Sequence, residues 1–227
     1  ATATFFVTTR FLERYPETVE ALHAAGHEIG THGPRHLRLQ RQEPAAFRTD
    51  VREQKRRLAA LGGIVPAGYR APHFSLEART AWVLPILKEE GYVYDSSQFA
   101  AAGLEYGSSR APNGPYLIGT PAGPCREIPV PGLPCGPWRL PFAGGVYFRL
   151  IPGNVYRRLL SRLARTATPL VYLHPHELSA ETPRLGRGPF WKRRLKYHGV
   201  GGAFAKLARL TKAWHCVSIA QAYFPPA

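Results

Sequence analysis

An α/β fold on a parallel sheet, closed as a barrel or doubly wound, is predicted by two patterns in the 227-residue chain. Short β-rich runs alternate with helical segments along most of its length, as βαβ units require. The residues with the most evident chemistry, His32, His36, Arg70, Asp95 and His174, each follow a β-like run. In both architectures function gathers at the carboxyl ends of the strands, so these five are expected on one rim.

Ala3 to Val7 is short, apolar and β-rich and reads as a strand. Pro16 suits the first turn of a helix whose face carries Val19 and Leu22 and whose stop is Gly26. His27 to Thr31 is the next strand. Pro44 to Leu61 is a helix striped by Phe47, Val51 and Leu58 and ended by Gly62-Gly63. A strand at Ala67 to Arg70, a helix at Leu76 to Glu90 and a strand at Tyr92 to Tyr94 follow. Residues 100–150 are rich in Gly and Pro, with β-like pieces at Glu127 to Val130 and Gly145 to Phe148. They read as an irregular excursion with an extra hairpin, and so long an excursion in a compact domain is usually functional. Asn154 to Arg165 is a helix and Leu170 to Leu173 a buried strand. Residues 179–203 read as a basic loop, Phe204 to Trp214 as a helix, and Cys216 to Val217 as a last strand before a short closing helix.

Composition bounds the reading. The length suits one domain spanning 1–227, and 44% hydrophobic residues suffice for a sizeable core. No run is long enough to span a membrane. Three cysteines without a C-x-x-C pair argue against a cysteine-based metal site. The formal charge of +15 suits an anionic partner. The basic residues are nonetheless spread out, on one helix face (Arg48, Arg52, Lys55, Arg56, Arg57) and in a cluster (Trp191, Lys192, Arg193, Arg194, Lys196). No nucleic-acid-binding motif is present, and no nucleic-acid partner is expected. The chain begins at Ala1, has no methionine, and opens directly on a buried-strand sequence, as a fragment lacking its beginning would. The expected setting is the cytoplasm or the membrane periphery.

HEIGTHGPRH, His27 to His36, carries two histidines four apart around Gly33-Pro34. Neutral imidazole is the commonest ligand for borderline divalent metals, so His32 and His36 form a candidate metal half-site. The spacing alone also fits two exposed loop histidines. The zincin pattern is excluded, because His27-Glu28 is followed by His32 at five residues rather than four.

In chain order, HEIGTHGPRH, YRAPHFS, YDSS and LHPHEL resemble successive motifs of the NodB-homology polysaccharide deacetylases, carbohydrate esterase family 4. TATFFV resembles the strand before that family's histidine motif. EIPVPGLPCGPWRLPFAGGVYFRLIP and PFWKRRLKYHGVGGAFAKLARL resemble the branch found beside exosortase and exopolysaccharide genes. The resemblance implies a distorted (β/α) barrel of about seven strands that removes N-acetyl groups from the amino sugars of a polysaccharide or oligosaccharide with one divalent metal, most often zinc. It implies metal ligation by His32 and His36. Arg70 would position the base, Asp95 would orient the catalytic histidine, and His174 would be that histidine, the general acid. A backbone N–H near Tyr94 to Ser96 would help hold the oxyanion. His73 and Tyr147 are candidates for substrate contact, and Trp138 for stacking on a sugar ring. His176 and Glu177 are set aside as ligands, since consecutive strand-end residues tend to diverge. The family's T-F-D-D motif, source of an Asp ligand and an Asp base, is absent, and no D-D pair occurs in the chain. The barrel is therefore expected to lack its first strand. The chain alone is expected to be inactive, either as a piece of an active enzyme or as a non-catalytic glycan-binding relative.

Overall fold

A computed structural model describes residues 1–103, 107–183 and 189–225, with only the backbone of Trp191 and Lys192. In chain order the elements are β1 (Thr4–Val7), α1 (Thr9–Arg14), α2 (Pro16–Ala24), β2 (Glu28–Thr31), α3 (Pro44–Ala60), β3 (Gly68–Tyr69), α4 (Val83–Glu89), β4 (Tyr94–Asp95) and β5 (Phe99–Ala100). Then follow β6 (Tyr116–Ile118), β7 (Cys125–Glu127), β8 (Val130–Pro131), β9 (Leu133–Cys135), β10 (Trp138–Leu140), α5 (Gly145–Leu150), α6 (Gly153–Leu163), α7 (Phe190–Tyr197), α8 (Val200–Ala213) and α9 (Ile219–Tyr223). The chain divides into two compact units. One comprises residues 1–98, 115–129 and 216–227, and the other residues 99–114 and 130–215.

The first unit is a mixed α/β structure on a six-stranded sheet in the order β1-β2-β3-β4-β7-β6. The first five strands are parallel, and β6 runs antiparallel at the edge. The parallel sheet expected from the alternation is therefore present. It is not a closed barrel among the described residues. Two apolar clusters pack with it. Phe47, Val51, Tyr69, Val83, Leu87 and Tyr92 belong to one, and Val7, Leu12, Val19, Ile29 and Leu58 to the other. The stripe read on α3 is thus divided, with Phe47 and Val51 in the first cluster and Leu58 in the second. Gly30 is fixed by a close approach: a Cβ there would lie 2.7 Å from the Phe6 ring and 3.0 Å from the Gly68 carbonyl.

The second unit holds the two-stranded pairs β5-β8 and β9-β10, the latter an antiparallel hairpin, together with α5 to α8. Its core is Leu133, Phe142, Phe148, Tyr156, Leu160, Leu163, Ala203 and Leu210. A hairpin does occur in the 100–150 excursion, at β9-β10, but not from the pieces read as β-like, Glu127 to Val130 and Gly145 to Phe148.

Several expectations fail locally. Gly145 to Phe148 is helical, within α5, although Val146, Tyr147 and Phe148 favour strand. Leu170 to Leu173 is no strand; Tyr172 alone makes a bridge, to Gly144, and the segment is half-buried. Cys216 to Val217 forms no strand either, although the Cys216 carbonyl accepts a hydrogen bond from the Thr2 N–H at 2.9 Å. Leu76 to Glu90 yields a single 3-10 turn, Ala78–Thr80, and then α4. Pro85 in the first turn of α4 disfavours a regular helix upstream. The basic stretch 179–203 is not a loop throughout, since it contains α7 and the start of α8. Its residues 184–188, and the side chains of Trp191 and Lys192 in the basic cluster, lie outside the described residues. Among the described residues no helix is long and apolar enough to cross a membrane.

Candidate active site

The end of β2 delivers His32. Its N–H donates to the Val7 carbonyl at the end of β1, 2.8 Å away, and the same carbonyl accepts from the buried Gln54 amide at 2.7 Å. Gly33 then turns the chain with φ +72, a conformation that suits glycine. The first turn of α1 holds this loop. The Thr9 and Arg10 N–H groups, which a helix start leaves without helical partners, donate to the Gly33 and Pro34 carbonyls at 3.2 Å each. Thr8 caps α1, accepting from the Phe11 N–H at 3.2 Å.

The His32 ring is oriented from behind. Its Nδ1 lies 2.6 Å from the Arg70 carbonyl oxygen. A carbonyl only accepts, so Nδ1 carries the proton and the ring's lone pair is on Nε2. This backing of an imidazole by a carbonyl is characteristic of metal-ligating histidines. The His36 ring packs edge-on against His32 with centroids 4.9 Å apart, and the His73 ring against His36 at 4.6 Å. The non-glycine residues with positive φ among the described residues are His36 (56°), His73 (58°) and Phe74 (48°). Each costs on the order of 1–3 kcal/mol, and such costs gather where function requires a particular geometry. The borderline nitrogen donors fit a divalent metal such as zinc.

Arg70 and Asp95 form a second, buried group in the same unit. The Arg70 guanidinium donates from Nε to the Ser96 carbonyl (2.9 Å) and from Nη2 to Ser96 Oγ (2.6 Å). It stacks over the Phe6 ring at 4.3 Å. Ser96 Oγ in turn donates to the Ile128 carbonyl at 2.6 Å. Asp95 is fully buried and accepts from the Ser97 hydroxyl at 2.5 Å, while that hydroxyl accepts from the Ala71 N–H at 2.7 Å. Beside Asp95, in register across the parallel pair β4-β7, lies Glu127, also fully buried. Burial and then the neighbouring Asp95 charge push the Glu127 carboxyl well up, and burial pushes Asp95 up as well. Two of the backbone donors expected for an oxyanion near Tyr94 to Ser96 are used by the fold. The Tyr94 N–H donates to the Ala67 carbonyl (3.3 Å) and the Ser96 N–H to the Tyr69 carbonyl (2.9 Å).

His174 and Tyr147 belong to the second unit. Tyr147 lies on α5, half-buried against that unit's core. Trp138 stands 71% exposed on the hairpin. His174 precedes the 3-10 turn Pro175–Glu177. The divergence expected of His176 and Glu177 does not occur: the ligating atoms of His174, His176 and Glu177 lie within 4.8 Å of one another, so this His-His-Glu group could hold a metal. The turn brings the side chains together where an extended strand end would have splayed them. The signal was legible in H-P-x-E, because Pro175 at the first position of a turn places the third residue back over the His174 N–H. Ser96, Ser97, Glu127 and Arg149 were also missed. Y-D-S-S pointed to the two serines; the other two gave no signal in sequence.

The polysaccharide deacetylase family model matches residues 1–94, and that of the domain of unknown function DUF3473 matches residues 96–223. No curated protein matches the chain. Among solved structures, a PuuE allantoinase aligns over 100% of this chain and 69% of its own, with TM-score 0.59 and 18% identity. A structure described as a probable polysaccharide deacetylase from Pseudomonas aeruginosa PAO1 aligns over 100% and 70%, with TM-score 0.58 and 17% identity. One assigned as a polysaccharide deacetylase from Mycobacterium smegmatis aligns over 91% of this chain, with TM-score 0.54 and 21% identity, and the chain spans 64% of its length. At these identities the three likenesses establish the mixed α/β fold. The DUF3473 model covers more than half of the chain, which belongs to that family, and with the polysaccharide deacetylase model over the first 94 residues it supports a NodB-homology deacetylase.

Proposed function

We propose that this chain is the deacetylase domain of an enzyme that removes N-acetyl groups from the amino sugars of a bacterial exopolysaccharide, with His32 and His36 as metal ligands. The observation that carries the reading is the histidine cluster. His32 is held by the Arg70 carbonyl in the tautomer that presents Nε2, and the ring beside it, His36, sits on strained left-handed backbone. A divalent metal bound there, zinc by the donor set, would polarise the amide carbonyl and lower the pKa of a water.

The remaining chemistry rests on protein groups. His73 packs edge-on to His36, which supports the reading of it as a substrate contact beside the ligands. Arg70, clamped by Ser96 and stacked on Phe6, keeps a fixed positive charge, with the buried Asp95 and Glu127 as its acidic counterparts. His174 donates a proton to the amide nitrogen as the C–N bond breaks, because an amine leaves poorly without one. The His174-His176-Glu177 group is the less suitable metal site. Its carboxylate is already engaged by two N–H groups of His174 and by the buried Arg149 guanidinium.

Calorimetry with zinc tests the ligands. His32→Ala and His36→Ala should each lose at least about tenfold in affinity, since catalytic zinc sites depend on ligand number. His23→Ala, an exposed histidine on α2, should keep it. Equal affinity in all three variants would overturn the assignment. In the full-length natural protein, His174→Ala should slow acetate release from N-acetylated oligosaccharides by about two to four orders of magnitude. Sugar binding with no acetate release by the unaltered protein would favour the glycan-binding alternative.

A further inference from the structure

Glu177 is a buried acid for which the reaction outlined above has no use. It is 5% exposed, whereas the side chain of neighbouring His174 is 45% exposed. The 3-10 turn folds the two together reciprocally. The Glu177 N–H donates to the His174 carbonyl at 2.9 Å, and the His174 N–H donates to Glu177 Oε2 at 3.0 Å. The same carboxylate oxygen lies 3.2 Å from His174 Nδ1.

The carboxylate is held from two further sides. Arg149 on α5 is 1% exposed in its side chain and lies 3.4 Å from Glu177 Oε1, while its Nη1 donates to the His198 carbonyl at 2.5 Å. Gly145, at the start of α5, leaves the space in which the carboxylate sits: a Cβ there would lie 1.9 Å from Glu177 Oε2. Burial raises the Glu177 carboxyl, but hydrogen bonds from the His174 ring and N–H, with the His174 and Arg149 charges, outweigh it and hold the group below the usual carboxylate range. Oε2 already accepts the His174 N–H and Oε1 faces the Arg149 guanidinium, so the carboxylate acts as an acceptor and the His174 ring nitrogen facing it is the donor.

We infer that Glu177 is the positioning residue of His174, fixing the ring with Nδ1–H turned inward and Nε2 turned away from the carboxylate, with Arg149 and Gly145 holding Glu177 in place. This rests on the reading of His174 as the proton donor. A carboxylate behind an imidazole sets both its tautomer and its direction, as the acid does in hydrolase triads. The proton delivered is then the one that Nε2, the ring position opposite the anchored one, carries in the doubly protonated ring, which returns to the Nδ1–H tautomer on giving it up. Glu177 touches neither substrate nor metal in this scheme.

The test uses ¹⁵N NMR of the His174 ring, identified by its loss in His174→Gln, in the wild type, Glu177→Gln, Glu177→Asp and Gly145→Ala. In the wild type, neutral His174 should show a protonated Nδ1 and an unprotonated Nε2. Glu177→Gln should give mixed tautomers, and Gly145→Ala, which leaves the carboxylate intact but displaces it, should do the same. Glu177→Asp should recover part of the wild-type pattern. In the full-length natural protein, Glu177→Gln should lower kcat about tenfold or more with KM changed less than about threefold, since the loss falls on proton delivery rather than on substrate binding. A wild-type tautomer in Glu177→Gln, with only thermal stability lowered, would overturn the inference and leave Glu177 as the counter-ion of Arg149. Zinc affinity lost in Glu177→Gln but kept in His32→Ala would overturn it as well, by making the cluster a metal site. Acetate release unaffected by His174→Gln would instead overturn the proposed function, whatever the tautomer.

Discussion

Asp95 and Glu127 stand side by side on adjacent parallel strands, in register and without exposure to solvent. Two carboxylates at that distance from water cannot both ionise without a large cost, so the pair retains a proton into the range where each alone would have lost it. Burial is the main cause for both, and the Asp95 charge adds to it for Glu127.

The pair predicts an unusual pH dependence. An unfolded Glu gives up its proton near pH ~4.3, whereas the folded pair holds it to higher pH. Above that pH the folded state binds more protons than the unfolded state, so stability falls as pH rises, until the raised folded titration has been passed. The slope should approach about 1.4 kcal/mol per pH unit for one retained proton. Glu127→Gln keeps the acceptor for the Gln98 N–H and supplies a permanent donor toward Asp95, so it should flatten the slope. Urea unfolding at several pH values from 5 to 8 measures this. A wild type whose stability rises across that range would exclude the shared proton.

Arg70→Lys should be far from conservative. The planar fork donates twice to Ser96 and lies flat over Phe6, and a lysine reproduces neither feature. A loss of about 1–3 kcal/mol in unfolding free energy is expected, the usual size for a lost charged hydrogen bond in a buried site. The contact with His32 uses the backbone carbonyl of residue 70, so zinc affinity should change less than in His32→Ala. Calorimetry and urea unfolding on the same preparations separate the two effects.

Gly30→Ala tests the support beneath Arg70. The added methyl would meet the Phe6 ring and the Gly68 carbonyl, which belongs to the backbone of the adjacent strand and yields little. Overpacking of this kind costs typically about 1–3 kcal/mol. A neutral effect on thermal unfolding would mean that the Phe6 ring can tilt aside without cost to the fold.

Much of the first unit was legible in sequence, because each of its main elements carries its own signals. Alternation, the Pro16 start, the Gly26 stop and the Phe47-Val51-Leu58 stripe are local features, and the parallel sheet follows from them. The short helix α1 was missed because six residues give under two turns of periodicity. Helix α7 was missed because its density of Arg and Lys reads as solvated loop, although both residues are good helix formers. Gly145 to Leu150 was mistaken for strand because Val146, Tyr147 and Phe148 favour it. The close fit of Gly145 against Glu177 is a tertiary demand that no local pattern displays. The histidine pair could be found by spacing, whereas the roles of Glu127 and Glu177 depend on which strand or turn lies beside them.

The unforeseen α1 gives the last prediction, which runs from a cap to the metal site. Thr8 accepts from the Phe11 N–H and so helps close the first turn of α1. The N–H groups of Thr9 and Arg10 in that turn hold the Gly33 and Pro34 carbonyls, and with them the loop from His32 to His36. Thr8→Ala should therefore lower stability by about 0.5–2 kcal/mol, as loss of a helix N-cap usually does. It should also weaken zinc binding about two- to tenfold, since a fraying turn lets the His32-His36 geometry wander and ligand pre-organisation is lost. Thr8→Ser retains the capping oxygen and should leave both quantities near wild type. Thermal unfolding and zinc calorimetry on the three proteins make the comparison. Lowered stability with unchanged zinc affinity would show that the loop keeps its shape without α1, through the contact of His32 with Arg70 alone.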